Sequence, residues 1–191
     1  MMNIDSADLN KTFEVLKNGG IILYPTDTIW GIGCDATNPA AIDKIYKLKQ
    51  RNDSKSMIVL VDVPGRIPSY TSEIPEIAWD LIELSDKPLT IIFPKAKNLA
   101  TNLVAQEGSV GIRVVNHEFC KRLIQRLGKP IVSTSANISG QPFPQNYNDI
   151  SIEIKNGVDY IVPEIYNNPL TNRPSSIIAI GEGGLIKVIR E

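Results

Sequence analysis

A chain of 191 residues suffices for one domain, residues 1–191, that buries roughly 70% of its unfolded surface, and 42% apolar with 21% charged residues is a globular composition. A net charge of −1 excludes a protein coated in nucleic-acid-binding charge, two cysteines exclude a disulfide framework or a CxxC metal site, and one histidine argues against a His-built metal centre. No basic–apolar–small leader pattern and no membrane-length apolar run occurs, so the cytoplasm is the expected location, with no membrane partner.

In chain order, Asp8 is expected to cap a helix with Leu9, Phe13 and Leu16 on its apolar face, closed by Gly19-Gly20. Ile21 to Leu23 reads as a buried strand that ends at Pro25, because proline cannot donate to a sheet and biases Tyr24 toward extended backbone. It opens into Thr26-Asp27-Thr28-Ile29-Trp30-Gly31-Ile32-Gly33, where hydroxyls, a carboxylate and two glycines suit a small polar ligand. The same residues also suit an ordinary turn. Asn38-Pro39 predicts the start of a second helix, with Ala41, Ile42, Ile45 and Leu48 at helical spacing.

Between Lys44 and Lys55 five basic residues face one acid, Asp53, which is either a solvated face or an anion clamp. Strands are expected at Met57–Val61, Leu89–Phe93 and Ser109–Val115, and a third helix after Pro75. Residues 95–108 read as irregular, with Leu99 and Leu103 on a short helix at most. Arg113 interrupts an apolar run, so it either ends the strand at the surface or binds an anion. A fourth helix with Phe119, Leu123 and Leu127 inward, and Lys121, Arg122, Arg126 and Lys129 outward, stops at Gly128. His117 is placed at its start, as a surface or capping residue.

Ile131-Val132 then runs into Ser133-Thr134-Ser135-Ala136-Asn137-Ile138-Ser139, four hydroxyls and an asparagine in seven positions. Such a cluster can donate to and accept from a carboxylate, amine or phosphate, or can close a hydrogen-bonded turn. Two strand-end clusters in one small domain favour a shared site. A weak segment around Ile150–Ile154, a strand at Val158–Val162 and a loop over 163–174 precede a hairpin, Ser175–Ile180 and Leu185–Ile189, ending in Arg190. Alternating strands and helices with a terminal hairpin point to an α/β domain with a mixed sheet. No GxxxxGK[ST] or GxGxxG loop occurs. Dispersed Lys and Arg beside strand-end hydroxyls suit a reaction run by positioning and charge stabilisation, such as transfer at a nucleotide phosphate.

Over nearly its whole length the chain resembles the YrdC-like family of threonylcarbamoyl-AMP synthases. The resemblance rests on Pro25 to Gly33 (PTDT-x-[YW]-G-x-G), Lys49-Gln50-Arg51 (KxR), Pro88-Leu89-Thr90, Val110 to Arg113, Ser133 to Gly140 (S-x-SAN-x-SG), Ser175-Ser176 and Arg190. It departs at Lys55-Ser56-Met57, where a Pro-Leu pair is common, and at Leu60, where His is frequent. The resemblance implies a single-domain, twisted, open α/β sheet with flanking helices and a large concave surface. It implies a nucleotidyltransferase reaction: L-threonine, bicarbonate and ATP with Mg2+ give threonylcarbamoyl-AMP and pyrophosphate, with no tightly bound cofactor. The product would feed threonylcarbamoyladenosine modification of tRNA through a separate transferase complex.

By motif, Thr28, Arg113, Ser133 and Ser175 or Ser176 would hold threonine; Lys49, Arg51, Lys55, Ser109, Ser135, Asn137 and Arg190 would hold ATP. No residue is assigned a covalent catalytic role, and no metal site is expected. Arg113→Ala or Arg51→Ala is expected to remove most activity without unfolding the protein. The alternatives are a module of the same fold that binds tRNA or duplex RNA, through the 44–55 run and the basic outer face of the fourth helix, and a carbamoyl-adenylate-forming domain like those of hydrogenase-maturation proteins.

Overall fold

The structure, a computed structural model, describes residues 4–50, 57–181 and 184–191. Its helices are α1 (Ser6–Lys17), α2 (Pro39–Leu48), α3 (Ile77–Leu84), α4 (Glu118–Leu127) and α5 (Ile152–Gly157). Its strands are β1 (Ile22–Tyr24), β2 (Gly31–Gly33), β3 (Ile58–Val61), β4 (Leu89–Phe93), β5 (Val110–Val114), β6 (Ile131–Ser135), β7 (Tyr160–Ile161), β8 (Ser176–Ile180) and β9 (Ile186–Arg190). They join in one mixed sheet in the order β7-β1-β2-β6-β3-β5-β4-β8-β9, parallel at β1/β7, β3/β5 and β4/β8 and antiparallel elsewhere. This is the α/β mixed-sheet architecture with flanking helices that the sequence pattern predicts. Among the described residues no helix is long and apolar enough to cross a membrane.

Helix ends follow local chemistry. The Asn38 side chain accepts from Ala41 N at 3.2 Å and Pro39 fills the first turn of α2, as expected. Helix α4 stops where Gly128 turns left-handed at φ 68°. Helix α1 corrects the sequence reading: Asp5, not Asp8, is the cap, accepting from Ala7 N at 2.8 Å. Asp8 sits in the first turn, where its carboxylate accepts from the Tyr166 hydroxyl at 2.6 Å. A residue so distant in sequence is what moved that carboxylate from capping to tertiary bonding. No helix forms over 95–108, although Leu103 is fully buried. The weak segment near Ile150 becomes the short helix α5, and the strand after it shrinks to two residues at the sheet edge.

Strand β2 is the element the sequence reading lacks. Gly31-Ile32-Gly33 pairs antiparallel with β1 and with β6, so the motif is half of a hairpin as well as a loop. Its glycines are explained by Tyr24, whose ring crosses β2 so that its hydroxyl donates to Val132 O on β6 at 3.0 Å. A Cβ on Gly33 would lie 2.4 Å from Val132 O and 2.7 Å from that ring. Only a bare backbone fits.

The two faces of the sheet are covered unequally. On one, α2 and α3 pack over Ile32, Val59, Ile91, Phe93, Ile112, Val132, Ile178 and Ile180. On the other, α1 and α4 cover Ile22, Tyr24, Leu60 and Ile131 with Leu16, Phe119, Leu123 and Ile124. That cover stops part-way across. Strand alternation carries Ser133 and Ser135 onto the same face as Ile131, and Gly111 and Arg113 onto the adjoining part of it.

Candidate functional site

Where α1 and α4 end, the bare half of this face forms a cavity of about 360 Å³. Its wall includes Thr28, Trp30 and Gly31 from the motif, Arg113 from β5, Ser133, Ser135 and Asn137 from the β6 segment, and Pro174, Ser175 and Arg190 from the C-terminal hairpin. Seven of the predicted residues, separated by up to 162 positions between Thr28 and Arg190, are thus brought together.

Arg113 is its charged centre. It neither ends the strand at the surface nor waits for an external anion alone, because it is 2% exposed and its Nη2 lies 3.1 Å from Asp27 Oδ1, itself on a 1% exposed residue. Its Nη1 donates to Thr28 Oγ1 at 3.2 Å, and Thr28 Oγ1 shares a 2.9 Å hydrogen bond with Thr26 Oγ1. The Asp27 contact is an ion pair out of line for hydrogen bonding: Nε and Nη2 of Arg113 and Oδ1 of Asp27 have no hydrogen-bond partner among the described residues. Nε and Nη2 form one edge of the guanidinium fork, the edge that matches a carboxylate with two parallel bonds.

Arg190 donates from Nε and Nη2 to Ser175 O at 2.9 and 2.7 Å. Burial first, and the Arg113 charge second, lower its guanidinium pKa, so two cations act on one cavity. Ser175 Oγ shares a 2.8 Å hydrogen bond with Thr90 Oγ1. On the opposite wall Ser135 Oγ donates to Asn137 Oδ1, and the Asn137 amide donates to the Ile138 and Gln141 carbonyls. The indole N–H of Trp30, 2% exposed and tilted against Tyr147 at 5.1 Å, has no acceptor among the described residues.

Of the remaining predicted residues, the three described ones do not line this cavity. Lys49 is 2% exposed and does not line the cavity; its ammonium donates to the carbonyls of Ser135 and Asn137 and so pins α2 behind the polar wall. Ser109 donates to Glu107 Oε1 at 2.6 Å and is not among the lining residues. Ser176 shares the strand face of Ile178 and Ile180, so strand alternation selects Ser175 for the cavity. Arg51 and Lys55 lie outside the described residues. The sequence reading missed Asp27 and Trp30 as site residues. Asp27 was legible as a lone carboxylate flanked by two threonines, but its partner is 86 residues away.

His117 is also corrected. It stands at the start of α4 but makes no cap bond, is 2% exposed, and its Nε2 lies 2.9 Å from Tyr166 O. A carbonyl only accepts, so Nε2 carries the proton, and burial lowers the imidazole pKa. Cys34 and Cys120 are fully buried, and burial raises both thiol pKa values, which suits small hydrophobes rather than nucleophiles. The basic face of α4 is engaged within the chain: Arg122 pairs with Glu118 at 2.8 Å, Lys129 with Asp35 at 2.7 Å, Lys121 bonds Asn116, and Arg126 lies 5.0 Å over the Phe13 ring. A larger cavity, about 440 Å³, lies beside α3 and contains none of the predicted site residues. Among the described residues no three His, Cys, Asp or Glu side chains converge to hold a metal.

The family model for Sua5, YciO and YrdC, described as telomere recombination, matches residues 14–191. The chain belongs to this family. It is 34% identical over 163 residues to the threonylcarbamoyl-AMP synthase of Pseudoalteromonas translucida, covering 84% of this chain and 87% of that one. It is 30% identical over 175 residues to the synthase of Coxiella burnetii, covering 90% and 92%. Among solved structures, P. abyssi Sua5 complexed with L-threonine superposes with TM-score 0.86 at 23% identity, covering 98% of this chain and 55% of that one. E. coli YciO superposes with TM-score 0.85 at 23% identity, covering 99% and 91%. The chain therefore spans a little over half of the P. abyssi Sua5 chain and nearly all of the bacterial relatives. At these identities the structural likeness speaks for the fold.

Proposed function

We propose that this protein is an L-threonylcarbamoyl-AMP synthase, a nucleotidyltransferase that makes threonylcarbamoyl-AMP and pyrophosphate from L-threonine, bicarbonate and ATP. The observation that carries the reading is Arg113, a guanidinium in the wall of the cavity beside the hydroxyls of Thr28, Ser133 and Ser175, a set that suits an amino acid carboxylate. Thr28, Ser133 and Ser175 stand around it for the amino and side-chain hydroxyl groups of threonine. Ser135, Asn137 and Arg190 in the cavity wall, and by motif Arg51 and Lys55, would hold the nucleotide.

The chemistry needs no covalent intermediate on the protein. The threonine nitrogen takes up the carbon of bicarbonate with loss of water, and a carbamate oxygen then displaces pyrophosphate at the α-phosphorus of ATP. The protein supplies orientation of three substrates and positive charge where phosphate oxygens gain negative charge. Magnesium enters as the counter-ion of the triphosphate. The product, a mixed anhydride, would pass to a transferase complex that modifies tRNA. Any tRNA contact would compete with the intramolecular partners of α4, which makes the enzyme the favoured reading over a binding module.

Pyrophosphate release by purified protein, with threonine and bicarbonate omitted in turn, tests this. Release that needs both, with a threonine-linked adenylate seen by mass spectrometry, is the expected result. Release with carbamoyl phosphate in place of both would overturn it in favour of the hydrogenase-maturation chemistry.

A further inference from the structure

Lys49 sits behind the wall of the 360 Å³ cavity and not in it: the residue is buried and is absent from the lining. Its side chain and its backbone both reach the turn that follows β6. The ammonium donates to the carbonyl of Ser135 and, at 2.6 Å, to that of Asn137. Its own backbone carbonyl accepts from Ser139 N at 2.9 Å. These bonds tie the C-terminal end of α2, where Lys49 is the cap, to residues 135–139. Two residues of that turn, Ser135 and Asn137, are in the cavity wall.

The strand pairing gives this tie a purpose. On one side β6 runs with β2 as far as Gly31 opposite Ser135, and Ala136 N continues the contact to Trp30 O at 3.1 Å. On the other side its register with β3 covers only Ile131 to Ser133. Beyond Ser133 the wall therefore has a strand neighbour on one side alone among the described residues. Carbonyls turned into the protein need donors, and an ammonium carries only donors, so one lysine supplies what a strand would. Its Nζ also lies 3.5 Å from Asn137 Oδ1, which orients the amide with its oxygen toward the cation. That oxygen accepts from the Ser135 hydroxyl, and the amide nitrogen donates to the Ile138 and Gln141 carbonyls. Both ends of the Asn137 amide are thus engaged within the turn, and the Ser135 hydroxyl carries the effect of the tie to the cavity.

We propose that Lys49 is a positioning residue for ATP, which holds the Ser135 hydroxyl in the cavity wall from behind and does not itself contact the nucleotide. The inference rests on the reading of Ser135 as a nucleotide-binding residue given under the proposed function. It predicts an effect on one substrate. Lys49→Met keeps an unbranched apolar stem and removes the donors, and it raises the KM for ATP about tenfold to thirtyfold. Threonine affinity stays within about twofold, because Thr28, Arg113 and Ser175 are held by bonds to Thr26, Asp27 and Thr90 that do not involve Lys49. Since the loss passes through Ser135, Lys49→Met added to Ser135→Ala raises the KM for ATP by less than about threefold.

Steady-state kinetics for ATP, threonine calorimetry and melting curves are compared for the wild type, Lys49→Met, Ser135→Ala and the double variant. ATP and threonine constants that worsen together would reduce Lys49 to a purely structural role. A full Lys49→Met effect in the Ser135→Ala background would place its action outside this hydroxyl, and an ATP constant within about twofold of the wild type would leave it with none. Each of these results would overturn the inference. If Lys49→Met does not fold, Lys49→Arg is read in its place. It keeps charge and donors, but a wide planar head does not sit between two carbonyls as a compact ammonium does, so the KM for ATP rises at least about threefold with threonine affinity unchanged. Wild-type ATP kinetics in that variant would overturn the inference as well. Wild-type protein that neither binds threonine nor requires it for pyrophosphate release would instead overturn the functional reading, a distinguishable outcome.

Discussion

One face of the sheet is built in two ways within a few residues. Under α1 and α4 it is closed and apolar, with Ile22, Leu60 and Ile131 sealed by Leu16, Phe119 and Leu123. Beyond the helices the same face carries Arg113, Ser133, Ser135 and Thr28 around an open cavity. The change happens inside β6 itself: Ile131 lies beneath the helices, and Ser133, two residues on and on the same side, is in the cavity wall. The closed half holds the strands in register, and the open half uses that rigidity to present polar groups at set spacing. The comparison teaches that a site can be made by omitting a helix from part of a sheet and changing the alternate residues there.

The largest expected effect tests whether the open half is independent of folding. Arg113→Ala should lower threonine-dependent pyrophosphate release about 100-fold, the upper end of a lost charge-assisted contact. It should also leave Asp27 buried without its counter-charge, at about 3–5 kcal/mol. Activity and thermal melting should therefore fall together, by roughly 6–20 °C for a chain of this size. This revises the expectation from sequence that the variant would lose activity alone, and an unchanged melting temperature would show that the pair is not coupled to folding.

Gly33→Ala probes the boundary between the halves. The added Cβ would lie 2.4 Å from Val132 O and 2.7 Å from the Tyr24 ring, so β2 and β6 must separate. A loss of about 1–3 kcal/mol in urea unfolding is expected, the range for overpacking a tight core. A smaller expected effect separates the two faces of one strand. Ser175→Ala should reduce activity about twofold to tenfold through its hydroxyl contacts, and Ser176→Ala, facing the opposite side, should stay within twofold. Equal losses in the two variants would break the face assignment.

The smallest effect lies in the closed half. Burial lowers the pKa of His117, so the folded protein keeps it neutral while the unfolded chain takes up a proton near the ordinary value of 6.5. Its contribution to stability is full above that value and is lost as pH falls below it. Urea midpoints should therefore drop between pH 7.5 and 5.5, and His117→Gln should flatten that slope. An identical slope in the variant would remove His117 as a source of the pH dependence.

Much of this was legible in local chemistry. Asn38-Pro39 and Gly128 mark helix ends because capping and left-handed turns depend on immediate neighbours. The two hydroxyl-rich strand ends, at Thr26–Thr28 and Ser133–Asn137, were readable as one site, and the fold brings them to one cavity. Asp8 and His117 were misread, and the Arg113–Asp27 pair was not foreseen, for a common reason. Each has a partner outside its own segment: Asp8 has Tyr166, His117 has Tyr166 O, and Arg113 has Asp27. The carbonyl partners of Lys49 likewise lie on another strand end, beyond what its own segment reveals.

The sequence by itself determined the α/β order of elements, the apolar periodicities that bury one side of each helix and strand, and the residue types that suit an anionic substrate. These are properties of short stretches, governed by backbone preference and by alternation. Only the tertiary structure decided that Gly31–Gly33 is a strand crossed by a tyrosine ring, that Ser175 rather than Ser176 meets the cavity, and that Asp27 compensates Arg113. Each of these depends on which strands become neighbours, and strand order is set by burying the whole sheet at once rather than by any single segment.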